Sequence, residues 1–117
     1  MNYKTTKIKN NYAVGIDVTN IQKFVNKKEI FAKRILTKNE YLDYLKTDDY
    51  LKPKFLAVRW ALKEAAYKAI SKFKNIFFTN IEFIRTNNYY KCITFDEIEV
   101  SVSYNENLVY AIAIFLK

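Results

Sequence analysis

The sequence contains no histidine, and this absence excludes several kinds of active site. Serine–histidine and cysteine–histidine nucleophile systems need an imidazole, and so does a histidine-ligated zinc site. Cys92 is the single cysteine, so no internal disulfide can form; this fits a reducing cytoplasm, where Cys92 is predicted to be a strand residue. No apolar run is long enough to span a bilayer, and no apolar signal-peptide segment follows the basic N-terminus. The sequence therefore predicts a cytoplasmic protein that does not depend on histidine chemistry.

Glycine is almost as scarce, since Gly15 is the only one. A lone glycine inside a strand pattern marks a position where another backbone or a ligand comes close. Half of the 117 residues are apolar, which predicts a folded globular chain. The length predicts one domain over residues 1–117, with the polar segment 1–11 frayed.

Basic residues outnumber acidic ones and give a net charge of +8 at pH 7. A basic surface attracts phosphates, nucleic acid or an acidic protein. The lysines are scattered along the whole chain, however, so compositional drift explains much of the charge equally well. The charge alone leaves these alternatives open.

The longest helical pattern runs from about Pro53 to residue 72. Apolar residues recur at three- and four-residue spacing, which predicts a buried stripe at positions 55, 58, 62, 65, 66, 69 and 73. Trp60, Glu64 and Lys68 are four residues apart and so share one flank of the helix. A carboxylate there is either a solvated salt-bridge partner or a group placed to bind a ligand.

An acidic residue lies near the end of the first predicted strand, residues 12–18 (YAVGIDV), which reads as buried. Residues 19–22 (TNIQ) then have capping-box spacing, which predicts a helix beginning there. Asp17 therefore lies just before a helix N-terminus, where phosphates and metals are often held, although it can also serve merely as a cap. The predicted helix buries its apolar residues, Ile21, Phe24 and Val25. It exposes its lysines, Lys23, Lys27 and Lys28.

Short helices and then strands complete the pattern. Two helices are predicted over residues 29–34 and 37–45, the second opened by a capping box at Thr37 and Glu40. The remaining chain reads as strands: a hairpin that turns at Asn87 and Asn88, an alternating strand over 98–104, and an apolar central strand over 108–116. These features indicate an α+β fold, with helices packed on one side of a mainly antiparallel sheet.

Three segments of the chain share a family resemblance. Residues 59–68 (RWALKEAAYK) contain an aromatic residue, then Glu followed by Ala, with Lys four positions beyond the Glu. This pattern resembles the signature helix of the 4′-phosphopantetheinyl transferases. Residues 14–18 (VGIDV) look like the family's strand that ends in an acidic metal ligand, and residues 31–37 (FAKRILT) are similar to a segment of the small bacterial holo-acyl-carrier-protein synthases. The resemblance covers residues 12–73 well and the C-terminal third only by pattern.

The resemblance implies the 4′-phosphopantetheinyl transferase fold and a magnesium-dependent reaction of fatty acid biosynthesis. A 4′-phosphopantetheine group would pass from coenzyme A to a serine of apo acyl carrier protein, releasing adenosine 3′,5′-bisphosphate. By the same resemblance, Asp17 and Glu64 hold Mg²⁺ and act with Lys68 in catalysis, while Arg59, Lys68 and Tyr104 bind the coenzyme. Because the chain has one copy of the fold, a second subunit is expected to complete the site, and the resemblance implies a homotrimer with a site at each subunit interface. Neither nucleic acid nor a membrane is an expected partner. The acidic carrier is expected to dock on exposed lysines, Lys23, Lys27 and Lys28.

The sequence departs from the family pattern at three places. No glycine turn follows the signature helix in residues 71–75 (SKFKN), and residues 87–90 (NNYY) stand in the region of the usual Gly-Lys-Pro segment. Residues 101–104 (SVSY) end in Tyr104 where the family has histidine, and a phenol cannot carry a proton near neutral pH as an imidazole does. Two alternatives therefore remain: a basic nucleic-acid-binding module, and a transferase-like protein that has lost activity.

Overall fold

The chain alternates between one strand and helices in its first half and consists mainly of strands in its second. The computed structural model describes residues 11–116. Its strands are β1 (Tyr12–Asn20), β2 (Phe83–Arg85), β3 (Tyr90–Cys92), β4 (Ile98–Asn105) and β5 (Leu108–Leu116). Its α-helices are α1 (Glu29–Ile35), α2 (Lys38–Lys46) and α3 (Lys52–Ile70), and short 3₁₀ turns cover Ile21–Phe24, Asp49–Leu51 and Phe78–Asn80. The predicted α+β class is confirmed.

Residues 1–10, most of the segment that is predicted to be frayed, lie outside the described residues. Asn11 is exposed and belongs to no helix or strand. Across residues 11–116, no helix combines the length and the apolar character that a membrane span requires.

Helix α3 is buried on more sides than the predicted stripe. Five of the seven stripe positions are buried, whereas Phe55 is half-buried and Phe73 lies beyond the helix end. Leu56, Ala57 and Ile70 lie outside the stripe and are buried as well. The reason is that the sheet covers one side of α3, while α2 and the segment before β2 cover another. The periodicity therefore finds the helix but underestimates how much of it is enclosed.

The main sheet places β5 between β1 and β4, all antiparallel, so the prediction of a central C-terminal strand is confirmed. The prediction that β1 is a buried strand is wrong. Only alternate residues of β1 face α3, and the others are 50–59% exposed: Tyr12, Val14, Ile16 and Val18. The second face of β1 is covered by no described residue, and the same face of the central strand β5 is exposed at Ile112 and Ile114. The outer face of the sheet is consequently apolar and open.

Gly15 allows β1 to approach α3 closely, which confirms the prediction that another backbone comes near it. A Cβ atom at this position would lie 1.9 Å from the carbonyl oxygen of Ala65 and 2.9 Å from the backbone nitrogen of Ala69. Both contacts are to backbone atoms of α3. The glycine is thus required by space, since its φ angle is not in the left-handed region.

The segment after β1 is a single 3₁₀ turn, Ile21–Phe24, so the predicted full helix from Thr19 is wrong in length and in its cap. The side chain of Asn20 accepts a hydrogen bond of 2.9 Å from the backbone N–H of Gln22 and acts as the cap. Val25, predicted to be buried, is 49% exposed because the chain leaves the turn there. By contrast, α1 is confirmed, and α2 begins with the predicted capping box, in which the Thr37 side chain and Glu40 bond reciprocally.

The two hairpin turns have different backbone conformations. The β2–β3 hairpin is confirmed and closes through a hydrogen bond of 2.8 Å from Thr86 N–H to Tyr89 C=O. Asn87 and Asn88 form its turn without the positive φ angles that asparagine tolerates. Within residues 11–116, Glu106 is the non-glycine residue with positive φ, at 56°, and it makes the tight turn between β4 and β5.

Candidate active site

Asp17 and Lys68 form an ion pair where β1 meets the C-terminal part of α3. The ammonium of Lys68 donates to Asp17 Oδ1 at 3.2 Å and to the carbonyl oxygen of Ile16 at 2.9 Å. The Asp17 side chain is 14% exposed, whereas that of Lys68 is 50% exposed. Lys68 therefore joins helix to strand and still faces solvent.

Glu64 lies one turn before Lys68 on the same flank of α3, as the spacing predicts. Burial raises the pKa of Glu64 above its ordinary value of 4.5, and the negative charge of Asp17 raises it further, while Lys68 lowers it. The two carboxylates are therefore close enough to repel each other. The structure brings Asp17 together with Glu64 and Lys68, although Asp17 precedes both by 47 or more positions in the sequence.

This group can hold a hard cation if another ligand supplies the missing oxygens. Within residues 11–116 there is no set of three or more acidic or cysteine side chains arranged to hold a metal. Mg²⁺, however, is commonly bound by only one or two carboxylates, with water and substrate phosphate completing an octahedron. Two electrostatically coupled carboxylates beside an ammonium fit that requirement. The donor set is thus suited to a magnesium ion bound together with a phosphate group.

Trp60, one turn before Glu64, belongs to an aromatic cluster beside the carboxylates. Its ring contacts those of Phe24, Phe31 and Phe78, with centroids 5.2–6.2 Å apart. A groove of about 400 Å³ lies against this cluster and is lined by Thr19, Lys23, Phe24, Lys27, Phe31 and Trp60. Two of the three lysines predicted for docking therefore line this groove.

The third of these lysines, Lys28, lies at the start of α1 and is exposed. Lys27 is held above the ring of Phe31, with its Nζ 4.8 Å from the ring centroid. The basic segment therefore borders the aromatic groove, on the same side of the molecule as Thr19 and the end of β1.

Arg59 does not lie with Asp17, Glu64 and Lys68. It is 3% exposed, its Nε lies 4.0 Å from Glu40 Oε2, and its guanidinium stacks at 4.4 Å over Phe55 and at 5.0 Å over Tyr90. Its Nε is buried and has no hydrogen-bond partner among the described residues. The coenzyme-binding role of Arg59 stays a prediction.

Tyr104 lies on β4, on the opposite edge of the sheet from Asp17. Its ring faces the ammonium of Lys54 at 4.4 Å. Burial raises the pKa of Tyr104 to about 12, with a further contribution from Tyr90, against the lowering effect of Arg85. Burial also acts to raise the pKa of Tyr90, but a 3.3 Å hydrogen bond from Arg85 and nearby positive charges make the net shift downward. Tyr104 therefore belongs to a second cluster of phenols and cations.

The second cluster borders a cavity of about 190 Å³ at the β2–β3 hairpin. Its lining includes Arg85, Asn88, Tyr89, Tyr90 and Tyr104. The segment that stands where the family has Gly-Lys-Pro thus forms one wall of this cavity. Sequence reasoning did not single out Arg85 or Tyr90, because only the hairpin pairing brings them beside Tyr104.

The chain after α3 turns without the glycine that the family resemblance predicts. Backbone N–H groups of Phe73 and Lys74 both bond to the carbonyl oxygen of Ile70, at 2.8 and 2.9 Å. A shallow groove of about 370 Å³ lies along this turn and is lined by Tyr67 and residues 71–76. Space beside the end of α3 is therefore present even though the glycine is absent.

Comparison with known proteins assigns the chain to a family. The family model of the 4′-phosphopantetheinyl transferase superfamily matches residues 13–113. This range includes Asp17, Glu64, Lys68 and Tyr104. The chain belongs to this superfamily.

Individual relatives indicate which type of enzyme within the superfamily the chain resembles. A holo-[acyl-carrier-protein] synthase of Mycoplasma genitalium is 42% identical over 106 residues, which cover 86% of this chain and 92% of that protein. A holo-[acyl-carrier-protein] synthase of Bacillus subtilis is 32% identical over 87% of this chain and 91% of its own length. A holo-(acyl-carrier-protein) synthase of Bacillus anthracis, solved in complex with CoA (3′,5′-ADP), has a TM-score of 0.78 and 25% identity, covering 90% of this chain and 96% of that one. Within the superfamily, the chain is an enzyme of the holo-[acyl-carrier-protein] synthase type.

Proposed function

We propose that the chain transfers the 4′-phosphopantetheine group from coenzyme A to a serine of apo acyl carrier protein, in a magnesium-dependent reaction that releases adenosine 3′,5′-bisphosphate. The observation that carries this proposal is the meeting of Asp17, Glu64 and Lys68 at one edge of the sheet. The relatives named above supply the two substrates. Residues 1–117 act as one domain, and the reaction belongs to fatty acid biosynthesis in the cytoplasm.

The residues of this chain suit phosphoryl transfer, in which positioning and charge neutralisation do most of the work. The serine hydroxyl gives up its proton to water as its oxygen bonds to the phosphorus nearest the pantetheine. The bond from that phosphorus to the bridging oxygen breaks, and this oxygen leaves with adenosine 3′,5′-bisphosphate. Asp17 and Glu64 would hold Mg²⁺, which neutralises pyrophosphate charge when it is bound. Lys68 uses two of its ammonium hydrogens on Ile16 and Asp17, so the third can reach a phosphate oxygen.

A homotrimer completes the proposed site. Exposed apolar side chains run across the outer face of β1 and β5, among them Val14, Ile16, Ile112 and Ile114, which are 37–59% exposed. A contiguous apolar face of this kind marks an interaction surface, and closed cyclic symmetry covers it without forming filaments. The number three follows the family resemblance. In the trimer, the coenzyme lies between Asp17 and Glu64 of one subunit and the Tyr104 cluster of its neighbour.

The coenzyme-binding roles extend to the buried arginine. Arg59 lies beneath the ring of Tyr90, and together with Lys54 and Arg85 it surrounds the phenols of Tyr90 and Tyr104 with positive charge. This field would attract an anionic part of the coenzyme without requiring Arg59 to leave its buried position.

The carrier protein is proposed to dock beside the aromatic groove. Lys23 and Lys27 line the groove, and Lys28 continues the basic surface along the chain. An acidic carrier would be steered to this surface, with its serine directed toward the end of β1.

The test is to incubate the full-length chain with coenzyme A, Mg²⁺ and apo acyl carrier protein and to measure the mass of the carrier. A gain of one phosphopantetheine group is expected, together with release of adenosine 3′,5′-bisphosphate. Omission of Mg²⁺ or replacement of Asp17 by Ala should prevent the gain. If no carrier gains mass under any condition, the chain is a transferase-like protein without this activity, and RNA binding should be measured next.

A further inference from the structure

A fully buried ion pair lies between α2 and α3, away from the carboxylates described above. The ammonium of Lys63 lies 2.6 Å from Glu40 Oε1, and both side chains have 0% exposure. Lys63 also donates to the carbonyl oxygens of Thr79, at 3.0 Å, and Ile81, at 2.7 Å. All three hydrogens of this ammonium therefore have acceptors inside the protein.

Both carboxylate oxygens of Glu40 also accept hydrogen bonds from backbone groups. Its Oε1 accepts a hydrogen bond of 2.9 Å from the backbone N–H of Thr37, and its Oε2 accepts one of 2.8 Å from the backbone N–H of Phe83. Glu40 thus connects the start of α2 to the start of β2, while Lys63 connects the middle of α3 to the segment before β2. The pair fixes α3 against two other parts of the fold at one point.

This point determines which way Glu64 faces. Lys63 precedes Glu64, and successive residues lie about 100° apart around a helix. If Lys63 is fixed on one side of α3, Glu64 must point toward β1. The side-chain envelope of a helix has a radius of about 5–6 Å, so a rotation of only 15° would move the Glu64 carboxylate by roughly 1.5 Å.

The part of α3 nearest β1 packs on the sheet largely through small side chains, and the hydrogen bonds from Lys68 to β1 come from a half-exposed side chain. The helix meets Gly15 through Ala65 and Ala69, and Ala61 and Ala66 are also buried. Small side chains permit close approach, but they offer few ridges that would interlock with the sheet. A buried ion pair, in contrast, has directional contacts at fixed distances.

We propose that Glu40 and Lys63 are positioning residues that set the rotation of α3 and thereby the distance between Glu64 and Asp17; this inference rests on the metal-binding role proposed above. Stability is a weaker explanation for the pair, because apolar or neutral residues of similar volume often replace a buried ion pair without loss. A displacement of about 1 Å in a catalytic group, however, can slow a reaction by as much as ~10²-fold.

The first variant replaces both charges of the pair, Glu40→Gln together with Lys63→Met, and so leaves the buried Arg59 guanidinium, 4.0 Å from Glu40, without its carboxylate. A second variant, Glu40→Asp, keeps both charges but shortens the acidic side chain by one carbon–carbon bond, about 1.5 Å. The matched control is Asp49→Asn, which breaks the Lys–carboxylate pair of Lys52 near the start of the same helix, where Asp49 is 96% exposed. Four quantities are measured: the thermal midpoint, kcat, carrier KM, and Mn²⁺ binding by electron paramagnetic resonance with adenosine 3′,5′-bisphosphate present.

The double variant should fold and keep its carrier KM within about twofold, while Mn²⁺ binding and kcat each fall by roughly tenfold or more. Glu40→Asp should weaken both in the same direction, and Asp49→Asn should change neither. If the folded double variant and Glu40→Asp bind Mn²⁺ and turn over like the wild type, the positioning role is wrong. If the double variant does not fold, Glu40→Asp alone tests the positioning role: wild-type Mn²⁺ binding and turnover in that variant would show that the role is wrong. A wild-type chain that binds Mn²⁺ but transfers nothing would contradict the proposed function, while the Mn²⁺ comparison would still test the positioning role.

Discussion

Replacing Gly15 by Ala should destabilise the fold, although a residue-by-residue view predicts the opposite. Glycine inside a strand costs roughly 0.5–1 kcal/mol relative to alanine, and the φ angle of Gly15 does not require glycine. On those grounds alone the substitution would be stabilising. The new Cβ, however, would lie 1.9 Å from the carbonyl oxygen of Ala65, and Cβ contacts shorter than 3.0 Å are essentially never observed.

The collision cannot be relieved by a side-chain rotation, because its partners are backbone atoms of α3. The helix has to retreat by roughly 1 Å or more, and overpacking of this kind costs about 1–3 kcal/mol or more. For a chain of this size, a loss of about 2 kcal/mol lowers the melting temperature by roughly 8 °C. The retreat also carries Glu64, the neighbour of Ala65, away from Asp17, so the variant's activity should fall by up to ~10²-fold even below its melting temperature.

Urea and thermal unfolding, both followed by circular dichroism, measure the stability and the melting temperature, and carrier mass measures the activity. Adding Ala65→Gly tests the origin of the clash: removing that side chain should give no rescue, because the obstruction is the Ala65 carbonyl oxygen. An unchanged or raised melting temperature in Gly15→Ala would refute the close-approach argument, and rescue by Ala65→Gly would show that side chains collide instead.

Four further outcomes are expected. Asp17→Ala and Glu64→Ala should each abolish magnesium-dependent transfer while circular dichroism stays native, and near-normal activity in either variant would contradict the metal roles. Burial and the charge of Asp17 raise the pKa of Glu64 above 4.5, so the folded chain binds this proton more tightly than the unfolded chain does. The free energy of unfolding of the wild type, relative to that of Glu64→Gln, should therefore fall as the pH rises from 4.5 through the raised pKa. A difference between the two urea unfolding energies that does not change with pH would count against the raised pKa. Lys23→Glu should raise the carrier KM and weaken its salt dependence while coenzyme binding changes little, and an unchanged KM removes Lys23 from the docking surface. Ile16→Lys should dissociate the proposed trimer in sedimentation, and mixing Asp17→Ala chains with Tyr104→Ala chains should partly restore activity; a fully active monomer would rule the trimer out.

The sequence is most informative where a residue pattern and a local structure correspond directly. Helix α3 is recognisable because its apolar period extends over 19 residues with no interior glycine or proline. The capping box at Thr37 and Glu40 is a local signal, and it is present as predicted. The placement of Glu64 and Lys68 on one flank follows from helical geometry alone, and their meeting with Asp17 follows from the family resemblance.

The remaining features depend on tertiary contacts that no local pattern encodes. The apolar residues of β1 read as buried, yet four of them face outward, because α3 covers only one face of the sheet. The resemblance implies that Arg59 binds the coenzyme, but nothing in the sequence indicates that the fold encloses it between Glu40 and two aromatic rings. Lys63 reads as an ordinary helix residue; only its seven-residue spacing from Leu56 and Ile70, both buried, hints that it points into the protein.

The distance between the Asp17 group and the Tyr104 cluster is fixed by strand order rather than by loop conformation. Strand β5 lies between β1 and β4, so the backbones that carry Asp17 and Tyr104 are about 10 Å apart across the sheet. Along α3, the partners of these residues, Lys68 and Lys54, are separated by a rise of about 21 Å. A loop movement can change neither the order of hydrogen-bonded strands nor the length of a helix. If one coenzyme molecule contacts both clusters, it does so most directly across a subunit boundary, where the Asp17 edge of one chain meets the Tyr104 edge of another. The open apolar face beside β1 gives such a boundary a physical driving force, which is why we propose that a trimer, and not closure of a single chain, completes the site.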